Sequence, residues 1–249
     1  MSWFRRASIL FCGIVLGAGL YSAPAQAADP LPVFGGGMKV TTDGGGWCSM
    51  GSVGYDDLGR AVGLIAGHCM KAPGDRVFLC QDQVQHEPPN CGGRLVEVGK
   101  YSTTSVSSGY DTTTNEVTNW SLDYAVIELD TSKVQLTNKT PNGLTINKIG
   151  PVPSLFNFAC KDGKRTGKSC MPLTQIKNNV YSAWGVAWFG DSGSPLVVGD
   201  GLVGFTSTIN PTNVIGPVAW SGVHGALADI ASHGPTTVGV GFEPYTPAT

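Results

Sequence analysis

The segment FGDSGSPLV, residues 189–197, surrounds one serine with glycines and then leads into an apolar run. Gly190 and Gly193 give the backbone around Ser192 the freedom to bend tightly and to expose its amide groups. Asp191 places a charge beside a sequence that is typical of a buried strand. Taken alone, the segment fits an ordinary turn equally well, because Gly, Asp and Ser are common turn residues. The other parts of the chain have to decide between a turn and a reactive serine.

The composition indicates an all-β protein. The chain has 249 residues, of which 35 are glycine, and it lacks long polar helical patterns. This length suits one large β domain or two small ones. Only 14% of the residues are charged and the formal net charge is −2. Because there is no basic surface to hold phosphate groups, we expect no nucleic-acid partner.

The N-terminus predicts export from the cell. Arg5 and Arg6 precede an apolar run at residues 9–20, and the cleavage signal AQA follows at residues 25–27. We therefore expect residues 1–27 to be a signal peptide, and the mature chain to be secreted and extracellular, with the cell wall as one location and no stable membrane insertion. The alternative is an uncleaved anchor, although the run is short for a span of about 20 residues.

Six cysteines remain once the predicted signal peptide is removed. They are Cys48, Cys69, Cys80, Cys91, Cys160 and Cys170. An even number of cysteines in an exported chain indicates disulfides, and six cysteines allow 15 pairings. Their order favours neighbours, which are Cys48–Cys69, Cys80–Cys91 and Cys160–Cys170. A zinc site is the alternative, but no C-x₂-C or H-x₃-H spacing supports it, so we expect no metal.

Two further motifs precede the serine segment. In LIAGHCM, residues 64–70, His68 follows an apolar run and stands directly before a cysteine. In SLDYAVIEL, residues 121–129, Asp123 begins another apolar run. Acyl transfer by a serine needs this trio, because an imidazole must take the hydroxyl proton and a carboxylate must orient the imidazole. With Ser192, the chain therefore has the residue types of a nucleophilic hydrolase.

The motifs AGHC, LDYAV and GDSGSP, in this order, resemble those of the chymotrypsin-like (trypsin-fold) serine proteases, in particular their short secreted bacterial branch. The resemblance covers about residues 33–232. It implies an all-β fold of two six-stranded antiparallel β-barrels with a short C-terminal helix, and a cleft between the barrels. We expect a monomer that acts on a polypeptide substrate and needs no metal or organic cofactor. The expected parts are a lead-in at 28–47, a first barrel at 33–135, a second barrel at 145–232 and a C-terminal tail at 233–249.

The resemblance also implies a role for each matching residue. Ser192 would attack the scissile carbonyl, His68 would act first as general base and then as general acid, and Asp123 would orient His68. The backbone amides of Gly190 and Ser192 would form the oxyanion hole. Asp191 would hold this loop in its active shape, but the sequence names no partner for its carboxylate. The segment VFGGG at residues 33–37 matches the family's N-terminal start only loosely, which leaves the activation step open.

One further position and one further segment bear on the substrate. Val186, six residues before the serine, corresponds to the base of the family's specificity pocket, and it carries no charge. By resemblance the pocket would take an apolar or small side chain. The segment GFTSTI corresponds to the strand that pairs with the substrate backbone, which assigns Thr206, Ser207 and Thr208 to substrate binding, with Ser207 behind Asp123.

Two alternatives remain from the sequence. An α/β-hydrolase also uses serine, histidine and a carboxylate, but its elbow is G-x-S-x-G and its chain order is serine, acid, histidine. Here Ser194 occupies the last elbow position, and only a short span follows Ser192. The second alternative is a catalytically silent protease fold that serves as a binding or surface-interaction module. The complete trio of catalytic residue types argues against this alternative.

Overall fold

The structure is a computed structural model that describes residues 29–43, 46–81, 91 and 93–248. The predicted signal peptide, residues 1–27, lies outside the described residues, as does most of the segment between Cys80 and Cys91. Within the described part of the chain, no helix has the length and apolar character needed to cross a membrane.

Short strands supply nearly all of the regular structure. In chain order, the first eleven strands are β1 (Val33–Phe34), β2 (Lys39–Thr42), β3 (Cys48–Ser49), β4 (Ser52–Tyr55), β5 (Ala61–Ile65), β6 (Arg76–Cys80), β7 (Leu95–Val106), β8 (Tyr110–Asp111), β9 (Glu116–Val117), β10 (Ala125–Leu129) and β11 (Gln135–Leu136). The later strands are β12 (Lys148–Ile149), β13 (Phe158–Gly163), β14 (Gly167–Pro172), β15 (Gln175–Lys177), β16 (Val180–Val186), β17 (Pro195–Val198), β18 (Gly201–Thr208), β19 (Ile215–Gly222) and β20 (Glu243–Pro244). The helical segments are α1 (Val223–Ser232) and two 3₁₀ turns, Gly67–Cys69 and Trp120–Leu122.

Two large sheets contain most of these strands. The first has the order β20-β4-β5-β10-β7-β6-β2-β3, and the second has the order β14-β13-β17-β18-β19-β16-β15, with β12 paired to β18. Neighbours along both orders are antiparallel, while β12 runs parallel to β18. The predicted fold class, all-β with two antiparallel β-barrels and one short helix near the C-terminus, is confirmed, and the barrels are formed by the two curled sheets.

Each large sheet contains a six-stranded antiparallel arrangement, as expected. In the described residues two short strands add to it, so that each sheet has eight strands. In the first sheet these are β3 and the C-terminal β20, which pair with β2 and β4. In the second sheet they are β12 and β15, which pair with β18 and β16. Strands of two or three residues lack the long apolar runs by which a strand is found in a sequence.

The hydrophobic core has three parts. One cluster fills the first sheet, another fills the second sheet, and a third contains residues of both. This third part, the interface cluster, packs Leu64 and Val126 of the first sheet against Phe205 of the second, with Ile230 of α1. All four side chains are almost completely buried. Burial of apolar surface thereby fixes the two sheets against each other.

Three disulfides confirm the predicted pairing of neighbouring cysteines. Cys48–Cys69 ties β3 to the 3₁₀ turn that carries His68. Cys160 and Cys170 face each other across β13 and β14, so this bond lies within one hairpin of the second sheet.

The C-terminal tail returns to the first sheet. The Arg60 guanidinium donates to the carbonyl oxygens of Thr236 and Thr237 at 3.1 and 2.9 Å, and Asp56 accepts from the Gly239 amide at 3.0 Å. Three residues later, Phe242 is 2% exposed and belongs to the interface cluster. The tail therefore contributes to the core that joins the sheets.

We predict that Phe242→Ala lowers the free energy of unfolding by about 3–5 kcal/mol, because the substitution leaves a cavity in the interface cluster. Urea unfolding followed by tryptophan fluorescence measures the change. Leu58→Ala is the control, since the Leu58 side chain is 59% exposed, and it should stay within about 0.5 kcal/mol of the parent chain. An equally small effect for Phe242→Ala would show that the tail contributes nothing to the core.

Candidate active site

His68 and Asp123 are joined by two hydrogen bonds. The His68 backbone amide donates to Asp123 Oδ1 at 2.9 Å, and the ring Nδ1–H donates to Oδ2 at 2.8 Å. Since a carboxylate only accepts, this contact places a proton on Nδ1. In the neutral ring, Nε2 is then free of a proton and can act as a base.

The Asp123 carboxylate lies between the two sheets. It stands between the 3₁₀ turn at Trp120–Leu122 and β10 of the first sheet, and it is completely buried. The Ser207 hydroxyl of β18, in the second sheet, also donates to its Oδ2. Burial favours the neutral acid, but the charge and hydrogen bonds of His68 and the Ser207 hydroxyl outweigh it and hold the pKa of Asp123 below its ordinary value. The group is therefore an anion at neutral pH.

The same contact raises the pKa of His68, whereas it lowers the pKa of Asp123. Burial lowers the pKa of His68, but the charge of Asp123 and its hydrogen bond raise the pKa by more. The net result is a pKa above the ordinary value of 6.5. The Asp123 carboxylate thus stabilises the imidazolium that forms whenever His68 accepts a proton.

The backbone around Ser192 has the special conformation that its glycines predict. Gly190 has a φ of 102° and Gly193 a φ of 82°, both in the left-handed region that favours glycine. A Cβ on Gly193 would lie 2.5 Å from the Ser49 carbonyl oxygen. The Ser49 amide in turn donates to the Ser192 carbonyl oxygen at 2.8 Å. The serine segment is thus a tight bend held against β3 of the first sheet.

Two amide groups in this bend have no hydrogen-bond acceptor among the described residues. Over the part of the chain that the structure describes, the N–H groups of Gly190 and Ser192 donate to no protein group, whereas Asp191, Gly193 and Ser194 donate to backbone carbonyl oxygens. Backbone N–H groups in folded proteins are nearly always paired. The two free amides are available to a bound group.

Asp191 has a buried cationic partner that the sequence did not name. Its carboxylate is completely buried, and Lys161 Nζ of β13, also completely buried, lies 3.1 Å from Oδ2. The Thr166 hydroxyl donates to the same oxygen at 2.6 Å. The amides of Arg165 and Thr166 donate to Oδ1 at 2.8 and 3.0 Å, and the Trp188 amide donates to Oδ2 at 2.9 Å. Five donors thus satisfy the carboxylate inside the second half of the chain.

Ser192 and His68 line the same cleft. This cleft has a volume of about 330 Å³, and its described lining residues are Gly46, Trp47, Cys48, His68, Cys69, Lys71, Phe189, Gly190 and Ser192. Among the described residues, the His68 ring makes its hydrogen bond with Asp123, and none links it to the Ser192 hydroxyl. Catalytic hydrogen bonds are often long or poorly aligned in unliganded sites and tighten with substrate.

The four residues that the sequence predicts to bind substrate lie in different surroundings. Thr206 is fully engaged within the protein, because its amide and carbonyl bond to the serine loop and its hydroxyl lies 2.7 Å from that of Ser194. Ser207 contacts Asp123, and Thr208 ends β18. Val186 ends β16 opposite Ile215, and it is absent from the described lining of the Ser192 cleft.

Sequence reasoning missed Lys161, although one signal was available. In β13, Ala159 and Lys161 lie on the buried face, while Cys160 lies between them on the other. Period-two alternation of a strand therefore aims the lysine inward. A lysine on an inward face needs an anionic partner, and Asp191 was the carboxylate without one. The described residues contain no cluster of three or more side chains able to hold a metal ion.

Comparison with solved structures identifies the fold as that of chymotrypsin-like serine proteases. The Nocardiopsis protease aligns with a TM-score of 0.57 and 21% identity over 79% of this chain and 95% of its own. The Cellulomonas bogoriensis chymotrypsin aligns with a TM-score of 0.56 and 20% identity over 86% of this chain and 100% of its own. This chain therefore has the chymotrypsin-like fold, as the motifs implied.

One of the structures with this fold is that of an inactivated protease. The scabies mite inactivated protease paralogue aligns with a TM-score of 0.53 and 16% identity over 82% of this chain and 98% of its own. No protein-family model matches the sequence, and no curated protein matches it. A protease and an inactivated protease paralogue thus share this fold, so the fold alone does not establish activity.

We predict that Lys161→Met lowers the free energy of unfolding by about 3–5 kcal/mol, because it leaves the buried Asp191 carboxylate without its cation. Guanidinium unfolding measures the loss. Lys148→Met is the matched control, since it breaks an exposed ion pair with Asp200 and should leave the unfolding midpoint unchanged. Equal midpoints for the two variants would contradict the importance of the buried pair.

Proposed function

We propose that this protein is a secreted serine endopeptidase in which Ser192, His68 and Asp123 form the catalytic triad. One observation carries the proposal, which is the contact between His68 and the buried Asp123 in the cleft that also contains Ser192. The protease fold, the three disulfides and the free amides beside Ser192 add support. The predicted signal peptide is the basis for secretion.

The proposed reaction begins with proton transfer from Ser192 Oγ to His68 Nε2 while Oγ bonds to the scissile carbonyl carbon. The tetrahedral intermediate then expels the amine, which takes the proton from His68, and leaves an acyl-enzyme. A water molecule repeats the sequence, giving its proton to His68, and releases the carboxylic acid product and Ser192. Asp123 stays ionised throughout, because its pKa is held low and it stabilises each imidazolium.

The free amides of Gly190 and Ser192 would supply the oxyanion hole in this reaction. The carbonyl oxygen of the substrate gains negative charge as the serine attacks. Amide donors that are fixed before the reaction stabilise that charge without reorganisation. Asp191 and its five donors would hold the loop in the conformation that keeps these two amides unpaired.

For the side chain next to the scissile bond, we propose a preference for apolar or small residues. The support is Val186, which by resemblance corresponds to the base of the family's specificity pocket. Its side chain is uncharged and offers no partner to a cationic side chain of the substrate. The competing function is a silent binding module, in which the same residues are present but Ser192 does not react. Covalent labelling of the serine separates the two functions.

We predict that a fluorophosphonate probe labels the secreted protein and that Ser192→Ala abolishes labelling. The same substitution should lower peptide hydrolysis by about 10⁴–10⁶-fold, because the nucleophile is lost while the rest of the site remains. Gel fluorescence and a peptide-cleavage assay measure the two effects. Ser132→Ala, at an exposed serine, is the control and should be labelled like the parent chain. A folded parent chain that takes up no probe would favour the binding module.

We predict that kcat/KM rises with pH through a midpoint above 6.5, because only the neutral His68 ring accepts the serine proton and Asp123 raises its pKa. In Asp123→Asn the raising contacts are lost and burial remains, so the His68 pKa should fall below 6.5. NMR titration of the His68 Cε1–H signal measures both proteins. Ser192→Ala should keep the raised pKa, and an unchanged pKa in Asp123→Asn would refute the coupling.

A further inference from the structure

A second cleft opens beside the end of β18. Its volume is about 590 Å³, and it is bounded by the 3₁₀ turn at Trp120–Leu122 on one side and by the β15–β16 hairpin on the other. Thr208, which follows the Asp123-binding Ser207, is part of its lining. The cleft therefore begins one residue beyond Ser207, whose hydroxyl contacts Asp123 of the proposed triad.

The floor of this cleft is a row of short side chains. Thr208 of β18 lies opposite Ala219 of β19, which lies opposite Ser182 of β16, which lies opposite Gln175 of β15. All four residues line the cleft. Because three of them are small, the row forms a trough that crosses the strands. Three strand spacings of about 4.8 Å make it about 14 Å long.

An aromatic ring and one cation flank the trough. Trp120 is 46% exposed and offers an apolar wall. Lys177 of β15 stands toward the far end, and it is the one charged residue among the described residues that line the trough. The structure gives Lys177 no ion pair with any described carboxylate. The trough thus combines apolar surface with an unneutralised positive charge.

Asn179 holds the two sides of the trough together. It occupies the tip of the β15–β16 hairpin, where Asn178 and Asn179 both have positive φ, as a tight hairpin turn requires. Its side-chain amide donates to the Ser121 carbonyl at 2.9 Å and to the Gly222 carbonyl at 2.8 Å. The hairpin that carries Lys177 is therefore fixed to the turn that carries Trp120. The trough is formed before any ligand binds.

The edge of β18 that leads to this trough is available for pairing with an extended substrate. β17 pairs with β18 only as far as Phe205. Beyond Thr206, β18 has β19 on one side, and no described strand pairs with its other edge. A peptide added to that edge would place its acyl side along Thr208. A long side chain that enters the trough there and the Lys177 side chain that extends from the other end would approach each other.

We propose that this trough, defined by Trp120, Lys177 and the row from Thr208 to Gln175, is a specificity site for an acidic side chain upstream of the scissile bond. The inference rests on the proposed peptidase function. Glutamate fits better than aspartate, because its longer apolar stem lies along the trough wall while its carboxylate meets the lysine. Lys177 is a specificity residue here and has no part in the bond-breaking steps.

The test compares peptides that carry Glu, Gln or Lys at each of the four positions before the scissile bond. At one position, kcat/KM for Glu should exceed that for Gln by about two- to fivefold, the range of a partly exposed ion pair. The preference should vanish in Lys177→Gln and reverse toward Lys in Lys177→Glu. Lys100→Gln and Lys100→Glu, at an exposed lysine of β7, make the same charge changes and should keep the Glu preference.

Binding measurements test the specificity site independently of the catalytic triad. Affinities of the same peptides for Ser192→Ala, measured by fluorescence anisotropy, report on the trough without turnover, and probe labelling of the parent chain reports on the triad. Ala219→Leu fills the floor and should remove the Glu preference while labelling persists. Equal affinities for Glu and Gln peptides, or a Glu preference that survives Lys177→Gln, would overturn the acidic specificity whatever the labelling shows.

Discussion

The burial of the Asp123 carboxylate between the two sheets is the interaction on which the candidate site depends. A buried charge is costly unless hydrogen bonds and an opposite charge compensate it. Here the backbone amide and ring of His68 come from one sheet and the Ser207 hydroxyl comes from the other. The carboxylate is therefore satisfied only when the sheets are packed as the interface cluster packs them. The same contact fixes the tautomer of His68 and raises its pKa.

A second buried carboxylate, Asp191, holds the serine loop in place by its hydrogen bonds, as Asp123 orients His68 by its own. All five of its described donors come from residues 161–188, in the second half of the chain. This contact supplies the partner of Asp191 that the sequence did not name. Lys161 contacts Asp191 of this loop, and the amides of Gly190 and Ser192 in it donate to none of the residues that the structure describes.

The fold brings the candidate catalytic residues together but does not by itself establish an activity. The chymotrypsin-like arrangement occurs in the Nocardiopsis protease and in an inactivated scabies mite paralogue alike. In this chain the candidate site and the trough depend on the electrostatic detail at two buried carboxylates and on the residues beside β18. These depend on single residues such as Lys161, Thr208 and Lys177, each of which could change without altering the strand order.

The sequence by itself determined the all-β class and the short C-terminal helix, because apolar periodicity and glycine-rich turns are local signals. The order of the cysteines favoured the pairing of neighbours, and the structure decided it. It also singled out His68, Asp123 and Ser192, since each stands in a recognisable motif. Only the tertiary structure decided that Lys161 is the partner of Asp191, that the C-terminal tail joins the interface cluster, and that Thr208, Ala219 and Ser182 align into one trough. Those contacts join residues that lie far apart in the chain, and strand register and sheet packing, which no local pattern encodes, bring them together.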